Sequence, residues 1–198
     1  MWLDALDDRR PLIMGWLLVL ALLLTFTGLV LPSEEEDAPV TPIAAVQQGG
    51  KDALLVPSIG LNAPIIPIEV DPKGVLSPPD DTKLVGWWKR SAQPGALKGQ
   101  TVITGHTVHA GGGVMNKLGK VKPGQVVQIR DEGKLVDYRV TKVFVYSKAE
   151  LAAHAKELFA QDRMAGRLVL ITCTDWVKGD YLSNIIVFAQ PVRDAAAA

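Results

Sequence analysis

The sequence has only one cysteine, Cys173, among its 198 residues. A single cysteine excludes an intramolecular disulfide and a zinc site built from several cysteines. An excess of charge of either sign is also missing, since the chain has 21 basic and 21 acidic side chains. Residues 51–198 hold 19 basic and 14 acidic side chains, a bias too mild to indicate a nucleic-acid-binding face. We therefore expect neither a disulfide-stabilised scaffold nor a nucleic-acid partner.

One long stretch contains no charged residue. Residues 12–31 are 20 consecutive uncharged, mostly apolar residues, and as a helix they would span roughly 30 Å, the thickness of the hydrocarbon core of a bilayer. Arg9 and Arg10 precede this stretch and residues 34–37 are all acidic, so the positive-inside rule predicts a cytoplasmic N-terminus at residues 1–11. A cleaved signal peptide is the alternative, but the stretch is longer than a usual signal-peptide core and no small-residue cleavage site follows it directly. We predict a single-pass transmembrane helix in the cell membrane, with the rest of the chain extracytoplasmic.

The remainder divides into a linker, a domain and a tail. Residues 32–52 are rich in acidic residues, Pro, Gln and Gly, a composition typical of a flexible linker, and residues 193–198 form a short tail. Between them, residues 53–192 contain short runs rich in Val and Ile, bounded by Pro and Gly at the spacing of β-sandwiches and barrels. These runs predict about eight strands: Leu54–Pro57, Ala63–Ile68, Leu84–Trp88, Thr101–Gly105, Val126–Arg130, Val136–Ser147, Leu168–Cys173 and Asn184–Ala189.

One segment has the periodicity of a helix. Residues Ala149–Gln161 repeat apolar side chains at helical spacing. Ser147 is a candidate N-cap, and Glu150 completes a capping box with it. A shorter helical turn is predicted around residues 114–118, and residues 78–81 are predicted to form a loop because two prolines do not fit a central strand.

Two residues of the predicted strands have the chemistry of a nucleophile and its partner. Cys173 ends an apolar strand and is followed by polar residues, so its thiol would lie at the mouth of that strand. His106 follows the strand Thr101–Gly105. A free thiol is only a few per cent thiolate at pH 7 and needs a partner such as histidine to react efficiently. The alternatives are a buried, inert cysteine and a histidine with local hydrogen bonds, and the sequence does not show that the two residues meet.

The motifs around these residues resemble those of sortases over nearly the whole domain. Val56-Pro57-Ser58-Ile59-Gly60 resembles the opening strands of that family. Val102-Ile103-Thr104-Gly105-His106 and Leu170-Ile171-Thr172-Cys173 resemble the segments that contain its histidine and its nucleophile. Tyr181 through Ala189 resembles the closing strand. The overall pattern is most similar to actinobacterial class F enzymes.

The resemblance implies a mainly β fold, an eight-stranded β-barrel with one or two short helices, and a cysteine transpeptidase. Such an enzyme cleaves a Leu-Pro-x-Thr-Gly-like sorting signal of a secreted protein through an acyl-enzyme thioester. It then transfers that protein to an amine acceptor, either a cell-wall precursor or a pilin. Cys173 would be the nucleophile and His106 the general acid and base. No cofactor and no metal are implied.

The sequence departs from the family pattern at one position. Sortases normally have an arginine in or just before the closing strand, whereas this chain has Asn184 there and Leu182 two residues earlier. An asparagine can donate a hydrogen bond to an oxyanion, but it lacks the charge. Arg90, Arg130 and Arg139 are candidates to replace the arginine from elsewhere. A thioester-hydrolysing cysteine peptidase and a catalytically inactive peptide-binding barrel are the alternative functions.

Two further patterns have competing interpretations. His106, His109 and Cys173 are residue types that bind zinc, but a fourth ligand is not evident. Trp87 and Trp88 alternate faces if they lie on a strand, so we expect one in the core, while the other is a candidate for the wall of a peptide groove.

Overall fold

The computed structural model describes residues 52–192. Within this range no helix has both the length and the apolarity needed to cross a membrane. The predicted transmembrane helix at residues 12–31, the predicted linker up to residue 51 and the predicted tail lie outside the described residues.

Eight strands and two short α-helices form the domain, as the sequence predicts. The strands are β1 Ala53–Val56, β2 Leu61–Ile68, β3 Val85–Trp88, β4 Gln100–Gly105, β5 Val126–Asp131, β6 Lys134–Ser147, β7 Arg167–Val177 and β8 Asp180–Pro191. Two 3₁₀ turns, Pro57–Ile59 and Leu118–Lys120, lie between strands. Hydrogen-bonded turns at residues 114–117 lead into the second of these, so the helical turn predicted at residues 114–118 is present and extends to Lys120.

The strands close into a barrel in the order β1-β2-β3-β4-β7-β8-β6-β5, with β5 pairing back to β1. Two neighbouring pairs are parallel, β2 with β3 and β4 with β7. The remaining pairs are antiparallel. Closure pairs both edges of each strand over much of the sheet, which removes most of the exposed edges that would promote aggregation.

Alternation along β7 and β8 divides the buried side chains between two cores. Leu168 and Leu170 of β7 belong to the core inside the barrel, whereas Val169 and Ile171 belong to a second core on its outer face. β8 alternates in the same way, with Val187 inside and Ile186 outside. This follows from the two-residue period of a strand, which sends successive side chains to opposite faces.

The outer core is covered by the two helices, α1 Lys148–Ala153 and α2 Ala155–Phe159. The prediction of one continuous helix over Ala149–Gln161 is wrong, because the chain leaves helical geometry at His154. The ring of His154 stacks on Tyr146 with centroids 4.4 Å apart, and its Nδ1 donates to the Glu150 carbonyl at 2.8 Å. These contacts hold His154 against the barrel at the break. The capping box of Ser147 and Glu150 is confirmed.

A buried polar cluster attaches the end of α2 to the barrel. The amide of Gln100, which is fully buried, donates to the carbonyls of Glu157 at 3.1 Å and Ala160 at 2.8 Å. Its oxygen accepts from Nε of Arg167 at 2.9 Å. The guanidinium of Arg167 also lies 4.1 Å over the ring of Phe188. These contacts satisfy the last carbonyls of α2 and fix the helices over the outer face.

Candidate active site

The parallel register of β4 and β7 brings Cys173, on β7, level with His106, the residue that directly follows β4. The last registered pair is Thr104 with Ile171, and both residues lie two positions before the candidates. β4 ends at Gly105, so the registered pairing does not continue to His106, whereas Cys173 lies on β7 with its side chain on the same face as that of Ile171. Two stretches of sequence that are far apart in the chain therefore meet at this end of the β4–β7 pair.

A chain of two hydroxyl groups fixes the backbone around His106. The hydroxyl of Thr172, which is buried, donates to the carbonyl of Gly105 at 2.8 Å. Since a hydroxyl has one proton, Thr172 must accept the hydrogen bond that joins it to Thr107, at 2.9 Å. The residues on both sides of His106 are thus attached to the residue that precedes Cys173. These two hydrogen bonds of Thr172 join the chain segment that contains His106 to the segment that contains Cys173.

The imidazole of His106 contacts the loop between β2 and β3. Its Nε2 lies 2.7 Å from the carbonyl oxygen of Pro79. A carbonyl only accepts, so Nε2 carries the proton and Nδ1 is left for another partner. The predicted loop at residues 78–81 is confirmed, and it supplies this contact. Neither hydrogen bond described for His106 or Cys173 joins the two side chains to each other.

Cys173 faces Asn184 across the antiparallel ladder of β7 and β8. The amide Nδ2 of Asn184 lies 3.8 Å from Sγ and donates to the carbonyl of Thr172 at 3.4 Å. The expectation that the strand ends at Cys173 is wrong, because β7 continues to Val177 as a hairpin with β8. What ends near Cys173 is the pairing of β7 with β4, whose last pair contains Ile171. The thiol lies beside this opening in the sheet.

A cavity of 630 Å³ opens on the outer face beside Cys173 and Asn184. Its walls are mainly apolar and include Trp88 from β3, Leu151 from α1 and Phe159 from α2. Trp88 and Phe159 contact edge to face, with centroids 6.1 Å apart. Trp87 instead packs against the core inside the barrel, so the two tryptophans alternate faces as predicted.

Burial raises the pKa of the Cys173 thiol, because the half-buried site disfavours the thiolate. The ammonium of Lys148 opposes this and lowers the pKa, while the carboxylate of Asp180 raises it. Lys148 and Asp180 form an ion pair with Nζ and Oδ2 2.5 Å apart. The thiol therefore lies in the field of one cation and one anion that the sequence analysis did not single out.

None of the three arginines proposed from sequence lines this cavity. Nε of Arg90 pairs with Oε2 of Glu69 at 2.9 Å, and Arg139 donates to the carbonyl of Gly124 at 3.0 Å. Arg130 lines a different cavity. Those expectations are corrected: the cation that lines the site is Lys148. In the sequence, Lys148 directly follows the predicted strand that ends at Ser147. Its location in the cavity wall depends on which strands pair.

His109 packs against the hairpin of β7 and β8. Its ring stacks on Trp176 with centroids 5.1 Å apart. Among residues 52–192, no group of three or more His, Cys, Asp or Glu side chains is arranged to hold a metal ion.

Comparison with known proteins gives the family. A sequence model of the sortase domain matches residues 54–192, which is most of the chain. The chain belongs to the sortase family. A search of curated proteins found no match. The family membership makes the protein a cysteine transpeptidase.

Solved sortase structures share the fold. A lid mutant of sortase A from Corynebacterium diphtheriae is 23% identical with a TM-score of 0.58, covering 73% of this chain and 71% of that one. Sortase C-1 from Actinomyces oris is 24% identical with a TM-score of 0.55, covering 72% and 74%. Sortase D5 from Clostridium perfringens is 18% identical with a TM-score of 0.54, covering 72% and 78%. The predicted eight-stranded sortase barrel is confirmed.

Proposed function

We propose that Cys173 and His106 are the nucleophile and the general acid–base of a transpeptidase that acts on a peptide sorting signal. The observation that supports this most strongly is the parallel register of β4 and β7, which brings the chain at His106 next to the segment of Cys173, whose side chain lines a 630 Å³ cavity. The two hydrogen bonds of Thr172 hold the residues on either side of His106 in place. Asn184, 3.8 Å from the sulfur, is proposed as a donor to the oxyanion.

The proposed reaction has two steps. The thiolate of Cys173 attacks a carbonyl carbon of the substrate, a carbon–sulfur bond forms, the carbon–nitrogen bond breaks, and His106 gives its proton to the leaving amine. An incoming amine then attacks the thioester and loses a proton to His106, and the thiolate leaves. The first proton donation regenerates the neutral imidazole that the second step needs.

The substrate we propose is a secreted protein with a Leu-Pro-x-Thr-Gly-like signal. The apolar side chains of Trp88, Leu151 and Phe159 provide a surface suited to an extended apolar segment such as Leu-Pro. The acceptor is proposed to be the amine of a cell-wall precursor or of a pilin, as the resemblance implies.

Incubation of the protein with a Leu-Pro-x-Thr-Gly peptide and triglycine tests this function. We expect a ligated product from the wild type, none from Cys173→Ala, and a strong reduction in His106→Ala. Free acid as the sole product, at saturating triglycine, would contradict transfer and identify a hydrolase. Activity retained in Cys173→Ala would contradict the assignment of the nucleophile.

We also propose that residues 12–31 anchor the chain in the cell membrane with residues 53–192 outside, joined by the linker at 32–52. The uncharged stretch and the flanking charges support this. Because Cys173 is the only cysteine, a membrane-impermeant maleimide on intact cells reports its location. Labelling only after lysis would contradict the topology, and Cys173→Ala provides the background. Assignment to actinobacterial class F is likewise proposed, on the sequence motifs described above.

A further inference from the structure

The proposed reaction generates negative charge at two atoms, the sulfur of Cys173 and the oxygen of the attacked carbonyl. Positive charge near such atoms stabilises the transition state more than the ground state. Asn184 contributes a dipole but no charge. A cation among the described residues that line the cavity would supply the missing charge.

Lys148 is the one charged residue among the described residues that line the cavity. It is the first residue of α1. The register of β6 and β8 explains how it reaches the site: Tyr146 pairs with Asn184 and Ser147 with Ser183. Lys148 follows directly, where β6 ends and α1 begins. The lysine thus reaches the cavity from the start of α1, next to β8, the strand in which the family pattern has an arginine.

The side chain of Lys148 has a partner that limits its motion. Its Nζ lies 2.5 Å from Oδ2 of Asp180, whose Oδ1 accepts from the backbone of Tyr181 at 2.8 Å. The other acid near the start of α1, Glu150, is occupied by the N-cap Ser147. Both side chains of the ion pair are more than half exposed, at 61% and 64%, so the pair contributes little to folding stability. The ion pair still restricts the orientation of the Lys148 side chain.

We propose that Lys148 supplies the positive charge of this active site, stabilising the thiolate of Cys173 and the oxyanion on the carbonyl, and that Asp180 positions and partly neutralises it. This rests on the function proposed above. The charged groups that act on the thiol are Lys148 at the start of α1 and Asp180 on β8, while Asp175 lies two residues after Cys173 on β7 and His106 directly follows β4. The opposite effects of Lys148 and Asp180 on the thiol pKa agree with this assignment.

The first test measures the rate of alkylation of Cys173 by iodoacetamide against pH, which needs no substrate. For Lys148→Met we expect the midpoint to rise and the rate at neutral pH to fall about two- to fivefold, the scale of a partly exposed ion pair. For Asp180→Asn we expect the midpoint to fall and the rate at neutral pH to rise. Lys148→Arg should keep the wild-type profile, and Lys142→Met, an exposed lysine of β6 away from the cavity, is the matched control.

The second test measures kcat/KM for the sorting-signal peptide in the same variants. We expect Lys148→Met to lose about tenfold or more, since removal of an oxyanion donor costs on the order of 10²–10³ and this cation is partly solvated. Lys148→Arg should recover most of the activity. The proposal would be overturned if Lys148→Met had the same alkylation profile and the same kcat/KM as Lys142→Met. It would also be overturned if Lys148→Arg did not restore the activity that Lys148→Met loses. If the wild type acts on no peptide, the proposed function fails, while the alkylation profiles still decide whether Lys148 acts on the thiol.

Discussion

Asn184 and Cys173 form a cross-strand pair, with the amide nitrogen 3.8 Å from the sulfur and 3.4 Å from the Thr172 carbonyl. A primary amide has two N–H groups. One N–H can stay hydrogen-bonded to the Thr172 carbonyl while the other points toward the oxyanion that forms next to the sulfur. The Asn184 amide is therefore close both to the nucleophilic sulfur and to the position at which the oxyanion would form.

Substitution Asn184→Ala should lower kcat for the peptide by on the order of 10²-fold, because the oxyanion loses a pre-positioned donor. Steady-state kinetics with the ligation assay measure this. Asn62→Ala, at an exposed position of β2, is the control and should behave as wild type. A change in KM alone would show that the amide binds substrate without acting on the oxyanion.

Substitution Thr172→Val should destabilise the fold by about 1–3 kcal/mol, since a buried carbonyl and a hydroxyl both lose their partner. It should also reduce kcat, because the residues on either side of His106 are no longer attached to β7. Urea unfolding and kinetics together measure the two effects. Thr141→Val removes the hydrogen bond that an exposed threonine donates to the Phe188 carbonyl, and it should leave kcat unchanged. Equal kcat in both variants would contradict the positioning role.

The pH dependence of thiol alkylation should show a midpoint above that of the unfolded chain. Burial disfavours the thiolate and raises the pKa of Cys173, so the reactive form accumulates only at higher pH. Iodoacetamide kinetics on native and urea-unfolded protein give the comparison. A native midpoint below the unfolded one would mean that nearby positive charge outweighs burial.

Substitution Gln100→Leu should destabilise the protein by about 2–3 kcal/mol, because Arg167 and two helix carbonyls lose buried hydrogen bonds. Thermal or urea unfolding checks this. Gln128→Leu, which removes a half-buried amide contact to Asp137 away from the helices, should cost less than about 1 kcal/mol. Similar costs for the two variants would show that the cluster at the end of α2 is not a principal attachment.

The strands that line the site were predicted from local composition, but their ends were not. The Val- and Ile-rich runs mark where β7 and β8 are buried, and the predicted strands stop where that composition stops. The structure extends β7 to Val177 and starts β8 at Asp180. Pairing such as that of Trp176 with Tyr181 continues the ladder through residues without an apolar pattern. Ladder pairing, not burial, determines those ends.

The residue types of the site were predicted from sequence, whereas their surroundings were not. His106 and Cys173 were singled out by motif, but it is the pairing between β4 and β7 that brings their two segments together. The Gly105–Thr172 hydrogen bond across that pair joins residues 67 positions apart. Lys148 was missed for the same reason, since only the register of β6 against β8 brings it to the cavity. Long-range register is not encoded in any single stretch of sequence.

The most direct test is the intact mass of the protein after incubation with a Leu-Pro-x-Thr-Gly peptide in the absence of an added amine. Wild type should show a covalent adduct with the mass of the peptide acyl group, and hydroxylamine should release it because it is a thioester. The adduct should be absent from Cys173→Ala and much slower to form in His106→Ala. An adduct of equal yield in Cys173→Ala, or one formed equally fast in His106→Ala, would contradict a shared Cys173–His106 active site.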